Sequence, residues 1–220
     1  MTSSSLPARV GVLGSGQVGR VLAAGLQSHG IDAVLGTRRT GDAELTAWSQ
    51  DSAVPVVSFA DATAFGDTVI VAVRGAAEAV GGLIDSAGGP EAFAGKTVID
   101  ATNPLVFGDA GPSLEAGEGS GGERLQRRLP DAHVVKAFNT VGNALMVDPD
   151  LPGGPPVMFI AGDDEGAVGT TGAILEAFGW RWLNVGGIER SRELEELCIL
   201  WVAIGARSGS WDHAFTLLQP

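Results

Sequence analysis

Cysteine is almost absent from this 220-residue chain, which contains only Cys198. A single thiol can form neither an intrachain disulfide nor a thiolate zinc cluster, so we expect a protein of the reducing cytoplasm. The three histidines, His29, His133 and His213, lie far apart in the sequence and lack metal-ligand spacing. We interpret each as a surface or helix-end residue and expect no metal site.

Positive charge and long apolar runs are also scarce. The chain has 14 Lys and Arg against 26 Asp and Glu, a formal net charge of −12, which on average repels nucleic-acid phosphates and anionic membranes. No run reaches the roughly 18 apolar residues of a membrane-spanning helix, and the first ten residues lack a signal-peptide pattern. We therefore expect no nucleic-acid partner and no membrane, and local donors must hold any anionic ligand.

The apolar content of 45% is enough for the core of one α/β domain. Short β-branched runs alternate with longer amphipathic runs, and strands separated by helices favour a doubly wound, mostly parallel sheet. We expect one domain over residues 1–186 and a small helical extension over 187–220, packed on it or in a dimer interface. Strands are predicted over 8–14, 31–36, 53–59, 67–73, 96–102, 132–139, 155–164 and 180–185, and helices over 17–30, 42–50, 60–66, 75–88, 165–179 and 188–209.

The segment 103–130 interrupts this alternation. It carries six glycines and little to bury before the helical stretch GERLQRRL at 122–129. A loop this long inside a compact domain is usually functional or disordered. We predict that 106–122 either orders over a substrate or forms a disordered insertion.

The clearest chemical signal is the stretch GSGQVG, which places Gly14-x-Gly16-x-x-Gly19 between the first predicted strand and the first helix. In this context the pattern is typical of dinucleotide binding. Gly14 allows the tight turn, Gly16 lets the backbone approach a pyrophosphate, and Gly19 lets the helix pack on the sheet. The phosphates are expected at the helix N-terminus, where free N–H groups favour anions.

The end of the second strand indicates which dinucleotide is bound. An NAD-selective protein has Asp or Glu about 20 residues after the glycine turn, to bond the ribose 2′-hydroxyl. Here the position is Gly36, followed by Thr37, Arg38 and Arg39. Two guanidinium groups suit a 2′-phosphate, so the sequence favours NADP; the alternative is a basic pair on a solvated loop.

Three later strands end in residues that we expect around the nicotinamide ring, because ligands of such sheets bind beyond the carboxyl ends of the strands. Other interpretations stay open. Arg74 also suits a surface salt bridge, Asn103-Pro104 a turn, Asn139 and Thr140 a helix N-cap, and Phe138 core packing. The candidates are Val73, Arg74, Ala101, Thr102, Asn103, Pro104, Ala137, Phe138, Asn139 and Thr140.

No residue is predicted as a catalytic acid, base or nucleophile. The chain has no G-x-S-x-G nucleophile elbow, and GDDEG at 162–166 lacks calcium-loop spacing and more simply caps the helix that follows it. Direct hydride transfer between two planar rings needs mainly close alignment, with the cofactor supplying the reactivity.

The stretches VGVLGSGQVG…GTRR, VIDATNPL, VVKAFNTVGNALM and PVMFIAGDD…LEAFGWRWLNVGGIERSRELEEL resemble, in order and over nearly the whole chain, the NADPH-dependent reductases of the deazaflavin coenzyme F420. A similar pattern occurs in the NADPH-binding domain of membrane ferric reductases. The element KAFNT and the paired arginines are the more specific parts of the resemblance.

This resemblance implies a Rossmann-type fold, a homodimer, and hydride transfer between NADP(H) and a deazaflavin stacked on the nicotinamide. Each expected contact falls on a residue that matches the family pattern. The pyrophosphate is assigned to Gly14, Ser15, Gly16, Gln17 and Val18, with Gly19 in the same turn; the 2′-phosphate to Thr37, Arg38 and Arg39; the nicotinamide to Val73, Arg74, Ala101, Asn103 and Pro104; and the acceptor to Ala137, Phe138 and Asn139.

Other functions are also compatible with the sequence. Free flavin is the second choice of acceptor. A non-catalytic NADP-sensing module would have its nicotinamide site closed by Phe138 or by the glycine-rich loop. A dehydrogenase of imines or hydroxy acids would need a proton donor, for which neither Lys96 nor Lys136 is convincing.

The last predicted helix has an apolar face that suits either a dimer interface or the protein's own sheet. The residues of this face are Leu194, Leu197, Leu200, Trp201 and Ile204.

Overall fold

A computed structural model describes residues 5–108 and 111–218. Its strands are β1 Arg9–Leu13, β2 Asp32–Gly36, β3 Val56–Val57, β4 Thr68–Val71, β5 Thr97–Asp100, β6 Leu105–Gly108, β7 Gly111–Leu114, β8 His133–Lys136, β9 Val157–Gly162 and β10 Arg181–Asn184. Its α-helices are α1 Gln17–Ser28, α2 Ala43–Ser52, α3 Phe59–Phe65, α4 Ala77–Ser86, α5 Gly121–Arg128, α6 Glu165–Ala177 and α7 Ser191–Ser208. Three short 3-10 helices cover Pro90–Phe93, Asn143–Leu145 and Ile188–Arg190.

Eight strands form one sheet in the order β10-β9-β8-β5-β4-β1-β2-β3. All neighbours are parallel except β8 and β9, which pair antiparallel. The predicted Rossmann-type, mostly parallel fold is therefore confirmed. Because β9 and β10 run the other way, the carboxyl ends of β1, β2, β4, β5 and β8 share one edge of the sheet.

The central strands are buried on both faces, as parallel strands between two helical layers must be. All four residues of β4 are buried, and so are Val10, Val12 and Leu13 of β1. One face packs against α1 and α6, with Leu22 and Ile174 in that core. The other face packs against α3, α4 and α5. This layering holds the loops at the carboxyl edge in place.

The segment 103–130 differs from the predicted loop. Residues 105–108 and 111–114 pair as an antiparallel hairpin, β6–β7. Its base is fixed, because Glu115 N donates to Pro104 O at 2.6 Å and the Glu115 carboxylate accepts from Ala77 N at 3.1 Å. Phe107 on the hairpin is 74% exposed. The stretch is thus a hairpin followed by the predicted helix α5.

The C-terminal helix α7 packs against α5 and β7. The predicted apolar face divides in two: Leu194 and Trp201 are buried within the chain, whereas Leu200 and Ile204 are 51% and 39% exposed. Along the described ranges, 5–108 and 111–218, no helix combines the length and apolarity needed to cross a bilayer.

Candidate functional site

The glycine turn after β1 is shaped by close backbone contacts. Gly14 has φ +131°, and a Cβ there would meet the Ala72 carbonyl. A Cβ on Gly19 would meet the carbonyl oxygen of Gly14, so the turn and the helix approach each other too closely for any side chain. A Cβ on Gly16, by contrast, has no atom within 4 Å. The space at Gly16 is open, as a ligand that approaches the backbone requires.

Helix α1 presents unpaired donors beside this space. Gly16 is its N-cap and supplies no side-chain cap, and Arg20 N is the first backbone donor to bond back, to Gly16 O at 3.0 Å. The N–H groups of Gln17, Val18 and Gly19 therefore have no intrahelical acceptor. Their position at the positive end of the helix dipole suits a phosphate.

At the end of β2 the chain has no room for an acidic side chain. A Cβ on Gly36 would lie 2.8 Å from the Ala62 Cβ and 3.0 Å from a methyl of Leu13. The next residue, Thr37, is buried, and its hydroxyl lies 3.0 Å from the Ser15 hydroxyl. This contact ties the β2 loop to the glycine turn.

The two arginines after Thr37 differ in their surroundings. Arg39 Nη1 pairs with Asp42 Oδ2 at 2.9 Å, and Asp42 caps the N-terminus of α2. Arg38 is exposed and has no ion pair within the described part of the chain. Its guanidinium is the freer of the two to bind a phosphate.

A cleft of 990 Å³ connects these features along the carboxyl edge of the sheet. Its lining carries three arginines, Arg38, Arg39 and Arg74, against one carboxylate, Glu78. The cleft is thus positively charged in a protein of formal net charge −12. The other lining residues include Gly14, Ser15, Gly16, Val18, Phe59, Ala72, Val73, Ala76, Ala79, Gly82 and Leu83.

Two residues were missed by the sequence analysis: Glu78, which lines the cleft, and Arg20, which contacts the glycine turn. Glu78 lies in the first turn of α4. Acidic residues are common at this position of a helix, so no sequence signal indicated that Glu78 borders a cleft. Arg20 on α1 donates from Nε to Ser15 O at 3.0 Å and from Nη1 to Glu44 Oε1 at 2.7 Å. It holds the glycine turn against α2. The sequence carries no motif for this role, which depends on how α1 and α2 lie in space.

Residues at the ends of β5 and β8 meet in a reciprocal amide contact. Asn103 Nδ2 donates to Asn139 O at 2.8 Å, and Asn139 Nδ2 donates to Asn103 Oδ1 at 3.1 Å and to Leu194 O at 2.9 Å. A Cβ on Gly75 would meet Asn103 O, so the β4 and β5 loops also touch. The structure therefore brings Asn103 and Asn139 together, with Gly75 beside them, whereas Val73 and Arg74 are the strand-end candidates that line the cleft.

Several alternative interpretations of these strand ends are resolved. The helix after β8 is a 3-10 helix capped by Gly142, so neither Asn139 nor Thr140 is its N-cap. The Thr140 hydroxyl instead lies 3.8 Å from Met158 Sδ. Arg74 forms no ion pair among the described residues, so it is not part of a surface salt bridge there. In another part of the fold, Asp164 caps α6, as predicted for the stretch GDDEG.

The aromatic ring of Phe138 belongs to the core and does not face the cleft. Phe138 is 1% exposed, has φ +59°, and its ring centroid lies 6.1 Å from that of Phe178. The expectation that this side chain faces an acceptor is therefore not met, because the ring is buried against Phe178. Ala101, Pro104 and Ala137 are likewise buried.

A buried ionic cluster lies beneath these strand ends and was not predicted. Lys136 Nζ lies 2.7 Å from Asp100 Oδ2 and 2.9 Å from Glu195 Oε1, and it donates to Thr102 O at 3.0 Å. All three charged side chains are at most 1% exposed. Sequence analysis placed Lys136 within the strand predicted over 132–139 but could not identify its partners, because they come from β5 and α7.

The environment of this cluster alters the pKa of two groups. Burial alone would lower the pKa of Lys136, but the carboxylates of Asp100 and Glu195 outweigh it and raise that pKa above 10.5. Burial raises the pKa of the Cys198 thiol from 9.0 to about 11. Lys136 is therefore a fixed cation, and Cys198 is a neutral thiol at neutral pH.

No cluster of three or more metal-ligating side chains occurs between residues 5 and 218, with 109–110 left aside. His29 forms the C-cap of α1 and lies 3.1 Å from Asp148. His213 stacks on Trp201 with ring centroids 4.8 Å apart. His29 therefore lies at a helix end, as predicted. His213 was predicted as a surface or helix-end residue but packs against Trp201.

Comparison with known proteins assigns the family. The model of the family described as NADP oxidoreductase, coenzyme F420-dependent, matches residues 9–104. A crystal structure from Arthrobacter sp. FB24, described as a candidate F420-dependent NADP-reductase, is 31% identical, with a TM-score of 0.86 over 97% of this chain and 100% of that one. This chain belongs to the F420-dependent NADP oxidoreductase family. It is therefore an NADP-dependent oxidoreductase.

Two further proteins are similar to this chain, one in sequence and one in fold alone. The metalloreductase STEAP3 of Rattus norvegicus is 30% identical over 191 residues, which are 86% of this chain. This chain spans 36% of the length of that relative. An imine reductase from Aspergillus terreus, 18% identical with a TM-score of 0.66 over 93% of this chain and 64% of that one, shares the fold.

Proposed function

We propose that the protein transfers a hydride between NADP(H) and a planar acceptor, and that this acceptor is the deazaflavin coenzyme F420. The observation that carries the proposal is the positively charged cleft, lined by three arginines in an acidic protein. A dinucleotide with a third phosphate is the kind of anion that such a lining attracts.

The glycine turn holds the pyrophosphate in this proposal. Gly16 leaves open the space that a Cβ would fill, and the first N–H groups of α1 point to it. Ser15, Gln17 and Val18 border the phosphates, while Gly14 and Gly19 keep the turn tight against the helix. Arg20 and Thr37 fix the turn through the carbonyl and the hydroxyl of Ser15.

Arg38 and Arg39 bind the 2′-phosphate, with Thr37 as the residue that orients their loop. Arg39 N donates to the Thr37 hydroxyl at 3.2 Å, so the loop conformation depends on this buried threonine. A guanidinium offers a rigid pair of donors to a phosphate. No carboxylate fits at Gly36 to bond a free 2′-hydroxyl.

The nicotinamide ring lies at the ends of β4 and β5, beside Val73, Arg74, Ala101, Asn103 and Pro104. NADPH, when bound, supplies the hydride. We place the acceptor toward the end of β8. Ala137, Phe138 and Asn139 are at most 2% exposed there, so they support the floor of this region and do not touch the ring. In the overall reaction, NADPH, the oxidised deazaflavin and one proton give NADP+ and the reduced deazaflavin. The residues of the chain align the two rings for this transfer.

Free flavin is the alternative acceptor, and a non-catalytic NADP sensor is the rival function. The sensor model requires a nicotinamide site closed to a second ring. The Phe138 ring packs against Phe178 in the core, an arrangement that favours an open site and hence the oxidoreductase.

We also propose that residues 1–186 form the NADP-binding domain, that 187–220 pack on it, and that the protein is a cytoplasmic homodimer. Leu200 and Ile204 remain exposed on α7, which supports a further apolar contact there. Light scattering at micromolar concentration tests the oligomeric state. A monomer at that concentration would contradict the dimer.

Nucleotide titration tests the cofactor assignment. We expect the protein to bind NADPH more tightly than NADH, and Arg38→Ala to reduce that preference about tenfold or more, because a charge-assisted contact to the 2′-phosphate is lost. The matched control is Arg207→Ala, which removes an exposed arginine from the last turn of α7. Equal affinity of the wild-type protein for NADH and NADPH would contradict the assignment.

A further inference from the structure

The buried cluster of Lys136, Asp100 and Glu195 contains more negative than positive charge. One ammonium group faces two carboxylates, so the formal charge of the cluster is −1. The three side chains are almost entirely removed from solvent. An uncompensated buried charge is costly, and either carboxylate alone would neutralise the lysine.

Backbone dipoles offset part of this charge. Glu195 accepts from Gly121 N at 3.0 Å and from Gly122 N at 3.1 Å, at the N-terminus of α5, and Asp100 Oδ1 accepts from Thr102 N at 2.9 Å. These N–H groups stabilise the carboxylates locally. They carry no net charge, so the field of the cluster at a distance stays negative.

The cluster lies directly behind the loops that border the nicotinamide in the proposed function. Lys136 Nζ bonds to Thr102 O, the residue before Asn103. Glu195 follows Leu194, whose carbonyl accepts from Asn139 Nδ2. One charged residue from each of β5, β8 and α7 therefore meets beneath the Asn103–Asn139 contact.

We propose that Asp100, Lys136 and Glu195 form an electrostatic positioning cluster whose excess negative charge favours the oxidised, cationic nicotinamide ring over the neutral reduced ring. The inference rests on the proposed function. Hydride loss takes two electrons and one proton from the neutral ring and leaves it with a positive charge, while the acceptor takes up the hydride. A nearby negative charge in a medium of low dielectric favours that product. The cluster thus assists hydride donation from NADPH without touching it.

The test compares the affinities of the two cofactor forms by calorimetric titration of the full-length protein with NADP+ and with NADPH. Glu195→Gln removes one negative charge at nearly constant volume and loses one acceptor, for Gly121 N. We expect the ratio of the dissociation constants, Kd for NADP+ over Kd for NADPH, to rise about three- to tenfold. Glu196→Gln is the matched control, because Glu196 is exposed on the same helix, and its ratio is expected to stay unchanged.

The outcomes separate the inference from the function on which it rests. If both affinities of Glu195→Gln fall by the same factor, or neither changes, the cluster is only structural and the inference is overturned. If the wild-type protein binds neither nucleotide, the proposed function fails and the inference fails with it. Asp100→Asn removes a negative charge from the other side of Lys136 and must shift the ratio in the same direction, which keeps the test valid if Glu195→Gln does not fold.

Discussion

At the scale of single residues, the glycines of the turn after β1 have two different functions. Gly14 and Gly19 are required by the protein's own backbone contacts, whereas Gly16 has empty space where a Cβ would be. Gly14 and Gly19 are therefore needed for the stability of the fold, whereas Gly16 is needed for ligand binding.

Gly16→Ala separates these two functions. We expect its free energy of unfolding to fall by no more than about 1 kcal/mol, because alanine is a poorer N-cap than glycine. We expect its affinity for NADPH to fall about tenfold, because the methyl group occupies space needed by the pyrophosphate. Denaturant unfolding and nucleotide titration measure the two effects. Gly41→Ala, also at an open position outside the cleft, is the control, and an unchanged NADPH affinity in Gly16→Ala would contradict the assignment.

Sequence analysis found the residues whose role follows from neighbours along the chain. The glycine turn and the arginines after β2 belong to one local βαβ unit with a known spacing, so they could be predicted. Lys136, Arg20 and Glu195 could not, because their contacts join elements that are distant in sequence. The burial of Phe138 could not be predicted either, because its ring packs against Phe178, a residue 40 positions later in the sequence.

At the scale of elements, helix α4 separates two cavities. Gly82 lines the charged cleft, and Gly81 lines a smaller cavity of 360 Å³ between α4 and α5, with Val80, Ile84 and Leu125. A Cβ on Gly81 meets no atom within 4 Å. Glycine in a helix interior lowers stability relative to alanine.

We therefore expect Gly81→Ala to stabilise the protein by about 0.5–1 kcal/mol in urea unfolding, because α4 gains helix propensity without a clash. Gly25→Ala in α1 serves as the opposite control. Its Cβ would lie 2.5 Å from a methyl of Val147, so we expect a loss of about 1–3 kcal/mol. A destabilised Gly81→Ala would mean that α4 is packed more closely than the structure indicates.

The elements that were predicted least accurately from the sequence are those with the weakest hydrophobic periodicity. Hairpin β6–β7 has two four-residue strands in a glycine-rich stretch, and such short strands give too few alternations to recognise. Strand β3 was predicted over 53–59 but is limited to Val56–Val57, because Pro55 lacks a donor and α3 begins at Phe59. The long helices and the central strands had clear periods, and their existence was predicted correctly.

At the scale of the whole molecule, stability should depend on pH in the alkaline range. Cys198 has its pKa raised from 9.0 to about 11 in the folded protein. A raised folded pKa means that its contribution to stability is complete below pH 9 and is lost as the pH rises toward 11. Lys136, with a pKa raised above 10.5, acts in the same direction at higher pH.

We expect the free energy of unfolding to fall between pH 9 and 11, with about 2 kcal/mol of the loss caused by Cys198. Urea unfolding across this range measures it. Cys198→Ala should remove that part of the pH dependence, whatever its stability at pH 7. The same slope in both proteins would show that the thiol does not contribute.

The negative net charge of the protein is compatible with an anionic cofactor because the charged residues are unevenly distributed. The protein has a formal charge of −12, yet its cleft has three arginines and one glutamate. Acidic residues elsewhere leave the cleft as the place where an anionic cofactor is attracted. Composition alone argued against a nucleic-acid partner, but only the fold shows that the three arginines of the cleft, which come from the loops after β2 and β4, meet at one edge of the sheet.

Hydride transfer is tested directly by anaerobic single-turnover mixing of the protein with NADPH and oxidised coenzyme F420, followed by the deazaflavin absorbance. We predict rapid loss of that absorbance with NADPH and little loss with NADH, and a much slower loss with Arg38→Ala at subsaturating NADPH. FMN in place of F420 tests the alternative acceptor. Tight NADPH binding with no reduction of either acceptor would contradict hydride transfer to these rings and favour the sensor.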